Sequence, residues 1–73
     1  MATNRDVTKS YSGAQHIEKL ERLVACMKEG KVFEIQVDNE RIRVPERAVF
    51  SIEHERGEGM EELEFQFRWT TED

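Results

Sequence analysis

Few side chains of this 73-residue chain could carry out chemistry, and they lie far apart in the sequence. The two histidines, His16 and His54, and the single cysteine, Cys26, are the nitrogen and sulfur side chains that could ligate zinc. A zinc site needs three or four convergent ligands, which commonly come in short-spaced pairs. No such pair occurs here, so we predict neither a metal nor a cofactor.

Nucleophilic catalysis has no better support. No serine or cysteine stands in a strained elbow motif, and Gly57 and Gly59 belong to a predicted hairpin turn rather than to a phosphate-binding loop. We therefore predict a protein that is not an enzyme and has no catalytic residues. The alternative is a small oligomeric enzyme with sites between subunits, whose candidate residues are His16, His54 and Glu62.

The composition disfavours two classes of partner. Sixteen acidic residues against eleven basic ones give a net charge of −5, the wrong sign for neutralising phosphates of DNA or RNA. No apolar run approaches the roughly 18–20 residues of a membrane span, and the N-terminus lacks the apolar core of a signal peptide. We predict a soluble, cytoplasmic protein with no membrane association.

One helix is predicted over residues 13–28. Ser12 and Gln15 have the spacing of a capping box, and Gly30 can adopt the left-handed conformation that ends a helix. Apolar residues then recur on one helical face: Ile17, Leu20, Leu23, Val24 and Met27.

Two alternating runs on either side of Asp38-Asn39 predict the first hairpin, because this residue pair tolerates positive φ in a tight turn. A two-residue loop pairs Ile35 with Ile42 and Phe33 with Val44. The same register places Glu34 opposite Arg43 on the outer face, as cross-strand charge pairing favours.

Two further strands follow Pro45, with Gly57-Glu58-Gly59 as the turn between them. If strands 2 and 3 also pair, Ile42 meets Ile52 and Arg41 meets Glu53. Because successive strands are usually neighbours, we predict an α+β, two-layer domain in which one N-terminal helix packs on a four-stranded antiparallel meander. Residues 1–10 form a flexible segment or a short edge strand, residues 11–69 a single domain, and residues 70–73 a tail.

The last strand has the clearest pattern in the chain. Apolar and polar residues alternate strictly from Leu63 to Trp69, which is typical of a strand with one buried face. Trp69 continues the parity of the buried positions, so we expect it to close the core rather than to serve as a stacking platform. His54 shares the inward parity of Phe50 and Ile52.

The outer face of the sheet is the candidate partner surface. Four glutamates gather near the second hairpin turn, where they could meet a basic partner or protect a sheet edge. The bases of the outer face have acids opposite and are not available for phosphate. The candidate residues are Glu53, Glu55, Glu62, Glu64, Arg41 and Arg43.

These features together resemble the amphi-Trp domain family. The resemblance spans roughly residues 10–69 and lies in the helix ending at Gly30, the β-rich middle and the acidic start of the last strand, Glu61-Glu62-Leu63-Glu64, which closes on Trp69. Gln66 and Arg68 stand where acids are common in that strand. The resemblance implies a small domain without an established activity, and no functional residues can be carried over.

We therefore predict a small, non-enzymatic protein-interaction module that binds an unknown protein partner or a second copy of itself. Open sheet edges and the acidic patch are the features that favour it. The alternative is a module that binds single-stranded nucleic acid on a sheet face, where aromatic side chains can stack on bases.

Overall fold

One helix and four antiparallel strands make up the fold, which confirms the predicted α+β class. The structure, a computed structural model, describes residues 4–71. The elements are α1 (Gly13–Lys28), β1 (Phe33–Val37), β2 (Glu40–Val44), β3 (Val49–Gly57) and β4 (Met60–Arg68).

Both ends of α1 are capped as the sequence predicts. The hydroxyl of Ser12 accepts a hydrogen bond from the Gln15 backbone N–H at 3.2 Å, and the Gln15 side chain accepts one from the Ser12 N–H. At the other end, the Lys31 N–H donates to the Cys26 carbonyl at 2.9 Å and the Gly30 N–H donates to the Met27 carbonyl at 3.2 Å. These two bonds, with Gly30 at φ 67°, form a Schellman motif.

Replacing Gly30 with alanine should destabilise the protein by about 1 kcal/mol, because an L-residue pays for the left-handed conformation that glycine adopts freely. A new Cβ at Gly30 would meet no atom within 4 Å, so the cost is confined to the backbone. Gly13→Ala is the matched control, since Gly13 does not have positive φ and should gain stability within a helix. Chemical denaturation measures the free energy of unfolding of both variants. Equal effects of the two substitutions would contradict the assigned cap.

The first hairpin has the predicted register. Ile35 pairs with Ile42, Phe33 with Val44 and Glu34 with Arg43. Asp38 takes φ 58° in the two-residue turn, as the sequence indicated.

The second hairpin joins β3 and β4 in a long ribbon. Its register pairs Phe50 with Phe67, Ile52 with Phe65 and His54 with Leu63. The residues that were predicted to point inward therefore all lie on one face of the hairpin. The rings of Phe50 and Phe67 meet edge to face, with centroids 5.1 Å apart, a favourable aromatic geometry.

The four strands form two separate two-stranded sheets instead of the single meander that we expected. Strands β2 and β3 do not pair, so the expected contact of Arg41 with Glu53 does not form. Pro45 explains the break: it has no N–H for a ladder, and its carbonyl instead accepts from the Ala48 N–H at 3.1 Å. That local turn separates the two hairpins.

The N-terminal segment forms no strand over residues 4–12. Arg5 instead anchors it to the first hairpin, because its guanidinium donates to the Val37 carbonyl at 2.7 Å and lies 3.4 Å from the Glu40 carboxylate. The part of the predicted N-terminal segment formed by residues 1–3, and residues 72–73 of the predicted tail, lie outside the described residues.

Among residues 4–71 the core is smaller than predicted. Phe33 is the one buried apolar side chain, with 7% of its surface exposed. The radius of gyration is 13.9 Å, against about 11 Å for a compact chain of this length. A single copy of the chain therefore leaves most of its apolar residues in contact with water.

Candidate functional site

One group of uncovered apolar side chains lies on one face of the β3–β4 hairpin. We call it the hairpin apolar face: Phe50, Ile52, Leu63 and Phe65, which are 57, 66, 66 and 67% exposed. The register places Ile52 directly opposite Phe65, so these side chains form a continuous patch along the ribbon. We had expected the helix to cover this face, and that expectation is wrong for the single copy.

A second uncovered face lies on α1. We call it the helix apolar face: Ile17, Leu20, Val24 and Met27, which are between 41 and 57% exposed. At about 100° per residue these positions form one stripe. The stripe was predicted from the sequence, but it does not pack closely on a sheet as we expected, because Leu20 and Met27 only line cavities beside the two hairpins.

The orientation of α1 explains why its apolar stripe stays open. Arg22 fastens the helix to the first hairpin: its guanidinium lies 4.7 Å from the centre of the Phe33 ring and donates to the Glu34 carbonyl at 2.6 Å. Arg22 and Val24 lie on nearly opposite sides of a helix. The side of α1 that contacts β1 is thus not its exposed apolar stripe, and the half-buried residues of the helix are Lys19, Leu23 and Cys26.

A groove runs between α1 and the two hairpins. Four apolar residues line two adjoining cavities of about 200 and 530 Å³ in it. Met27 and Phe50 also line the smaller cavity, and Leu20 also lines the larger one. The groove is therefore an incompletely filled core, and its shared lining is Leu23, Phe33, Val44 and Phe67.

The four glutamates of the candidate partner surface do come together. Glu53 lies opposite Glu64, and Glu55 opposite Glu62, on the face of the second hairpin away from the hairpin apolar face. Like charges in directly opposed positions repel each other. Gln66 relieves one pair, because its amide nitrogen donates to Glu53 at 2.6 Å and to Glu64 at 2.9 Å.

The two arginines of the candidate partner surface lie on the other hairpin. Arg41 and Arg43 are both exposed residues of β2, and both pair with the Glu34 carboxylate, at 2.8 and 3.8 Å. The six predicted surface residues thus belong to two separate sheets. Arg43 has the predicted Glu34 beside it, whereas Arg41 pairs with this same acid instead of with Glu53.

One polar cluster escaped the sequence reasoning. His54 Nε2 and Arg56 Nη2 lie 2.9 and 3.1 Å from the same oxygen of Glu61. The hydrogen bond with His54 and, to a smaller extent, the bond from Arg56 lower the pKa of Glu61. The register of β3 with β4, which places Arg56 opposite Glu61, is the signal that could have found it.

We expect His54→Ala to raise the pKa of Glu61 toward its ordinary value, because the hydrogen bond with His54 contributes most to the shift. A group with a depressed folded-state pKa stabilises the fold above its unfolded-state pKa, and this contribution fades as the pH falls through its folded-state pKa. NMR titration of the carboxyl resonances measures the pKa of Glu61, with His16→Ala as the control. A Glu61 titration unchanged by His54→Ala would contradict the contact.

The remaining candidate residues do not converge. His16 and Glu62 line different cavities, and within residues 4–71 no three His, Cys, Asp or Glu side chains lie close enough to hold a metal ion. Trp69 lies just beyond β4, half-buried beside Val49 and Arg68. Its predicted place at the end of a buried core is therefore wrong for the single copy, because the strand parity no longer applies past Arg68.

Comparison of the chain with protein-family models, with curated proteins and with solved structures finds no match. Over the described residues, α1 is too short and too polar to cross a membrane.

Proposed function

We propose that this chain is a non-enzymatic protein-interaction module that associates with a second copy of itself through the hairpin apolar face. The observation that carries the proposal is that face: four large apolar side chains, each more than half exposed, on one side of a ribbon. Contiguous exposed apolar patches typically mark interaction sites.

The accessible surface of the chain supports association. It amounts to 6765 Å², whereas a compact monomer of 8.6 kDa exposes about 4,700 Å². This difference of roughly 2,000 Å² is more than the ~800 Å² that each partner of a standard protein–protein interface buries.

Light scattering at tens of micromolar tests the proposal on the full chain. We expect twice the monomer mass of 8.6 kDa. A mass of 8.6 kDa throughout this concentration range would overturn self-association.

Single-stranded nucleic-acid binding is the second candidate function, and the exposed rings of Phe50 and Phe65 favour it, because bases stack on aromatic residues of a sheet face. Charge opposes it, since residues 49–68 contain six glutamates and two arginines. We expect no shifts of Phe50 or Phe65 when short single-stranded DNA or RNA is added at physiological salt. Saturable shifts there would favour the second function.

Membership of the amphi-Trp family also stays a proposal, together with a cytoplasmic location. The capped helix, the two hairpins and the half-buried Trp69 after β4 are the features that support the family assignment.

A further inference from the structure

We propose that the partner of the hairpin apolar face is the helix apolar face of a second copy, reciprocally, so that each copy completes the core of the other. This inference rests on the proposed self-association and assigns the contact that produces it. The alternative within the same dimer is hairpin against hairpin.

The two faces belong to different layers, which is the arrangement that α+β domains require. An apolar helical stripe and the apolar face of a sheet stabilise each other when packed. In one copy both faces are more than two-fifths exposed, and of their residues only Phe50, Met27 and Leu20 line the groove between α1 and the hairpins.

The hairpin cannot complete the core of its own chain along its whole length. Phe50 and Phe67, at its base, line the groove beside α1. Ile52, Leu63 and Phe65 lie further along the ribbon and line neither cavity of that groove. The distal half of the hairpin is thus available to another copy while its base remains at its own groove.

Twofold symmetry limits an assembly built on this reciprocal contact to two copies. When the hairpin of one copy lies on the helix of its partner, the same operation places the partner's hairpin on the first helix. Both uncovered faces of both copies are then used. Hairpin-to-hairpin stacking would leave the helix apolar face of each copy in water.

Isotope-filtered NMR on a mixture of labelled and unlabelled full-length chains tests the contact without any substitution. We expect intermolecular cross-peaks between the Phe65 ring and the methyl groups of Leu20 and Val24. Intermolecular cross-peaks from Phe65 only to Phe65 or Leu63 of the partner would overturn the reciprocal contact while leaving self-association intact.

Disulfide trapping gives an independent readout in a Cys26→Ser background. Chains with Val24→Cys are mixed with chains carrying Ile52→Cys and oxidised gently. We expect at least about 10-fold more mixed disulfide than with Ser51→Cys, the adjacent residue on the opposite face of β3, because pairing in a dimer raises the effective concentration. Equal yields would overturn the inference, whereas a monomeric wild-type chain would overturn the proposed function itself.

Discussion

Phe65→Ser should convert the self-associated chain into a monomer. Phe65 is 67% exposed in one copy and lies in the middle of the hairpin apolar face, opposite Ile52. Large aromatic residues at the centre of an interface commonly contribute 2 kcal/mol or more, and a symmetric dimer contains two copies of each. We therefore expect the dimer Kd to rise at least about 100-fold, measured by sedimentation velocity.

Glu64→Ser is the matched control. It changes the neighbouring residue of β4, whose side chain lies on the opposite face with Glu53. It also removes a like-charge pair. We expect its Kd to stay within about threefold of the wild-type value, since Glu64 and its hydrogen-bond partner Gln66 both lie on the face away from the interface, where substitutions usually change a free energy by at most ~0.5 kcal/mol. Equal weakening by the two substitutions would place the interface elsewhere.

Phe33→Ala should be the most damaging core substitution, lowering the free energy of unfolding by about 3–5 kcal/mol. Phe33 is the one buried apolar residue of the described chain. It pairs with Val44, lies under the Arg22 guanidinium and lines both cavities of the groove. A domain of this length has a total stability of roughly 4–11 kcal/mol. If the unsubstituted protein lies at the low end of this range, the variant should be largely unfolded at 25 °C.

Circular dichroism with urea denaturation measures the effect. Val7→Ala is the control, because Val7 is an exposed apolar residue outside every helix and strand, and we expect it to change stability by less than about 0.5 kcal/mol. A Phe33→Ala variant as stable as Val7→Ala would show that the core does not centre on β1.

Local signals in the sequence predicted the helix, the turns and the register of the first hairpin. Ser12 and Gln15 at the start of α1, and Gly30 just after its end, make hydrogen bonds with residues only three apart in the sequence. Asp38-Asn39 fixed the register because a two-residue turn leaves the strands a single pairing that buries one face. Such features depend on neighbours in the chain, so a single sequence contains the information for them.

The assembly of these elements was not predictable in the same way. Alternation in β3 and β4 shows that one face is apolar, but it does not show which chain covers that face. The local turn at Pro45 interrupts the sheet, and Arg22 turns the apolar stripe of α1 away from β1. Both contacts join residues whose pairing leaves no periodic signal. The cluster around Glu61 depends instead on the register of the second hairpin, which was not assigned from the sequence.

The dependence of the thermal midpoint on protein concentration tests most directly whether two copies share one core. Unfolding of a dimer yields two chains, so mass action raises the midpoint with concentration. For a domain of this length we expect a rise of about 4 °C for each tenfold increase between ~1 and 100 μM. A midpoint that does not change over this range would contradict the shared core.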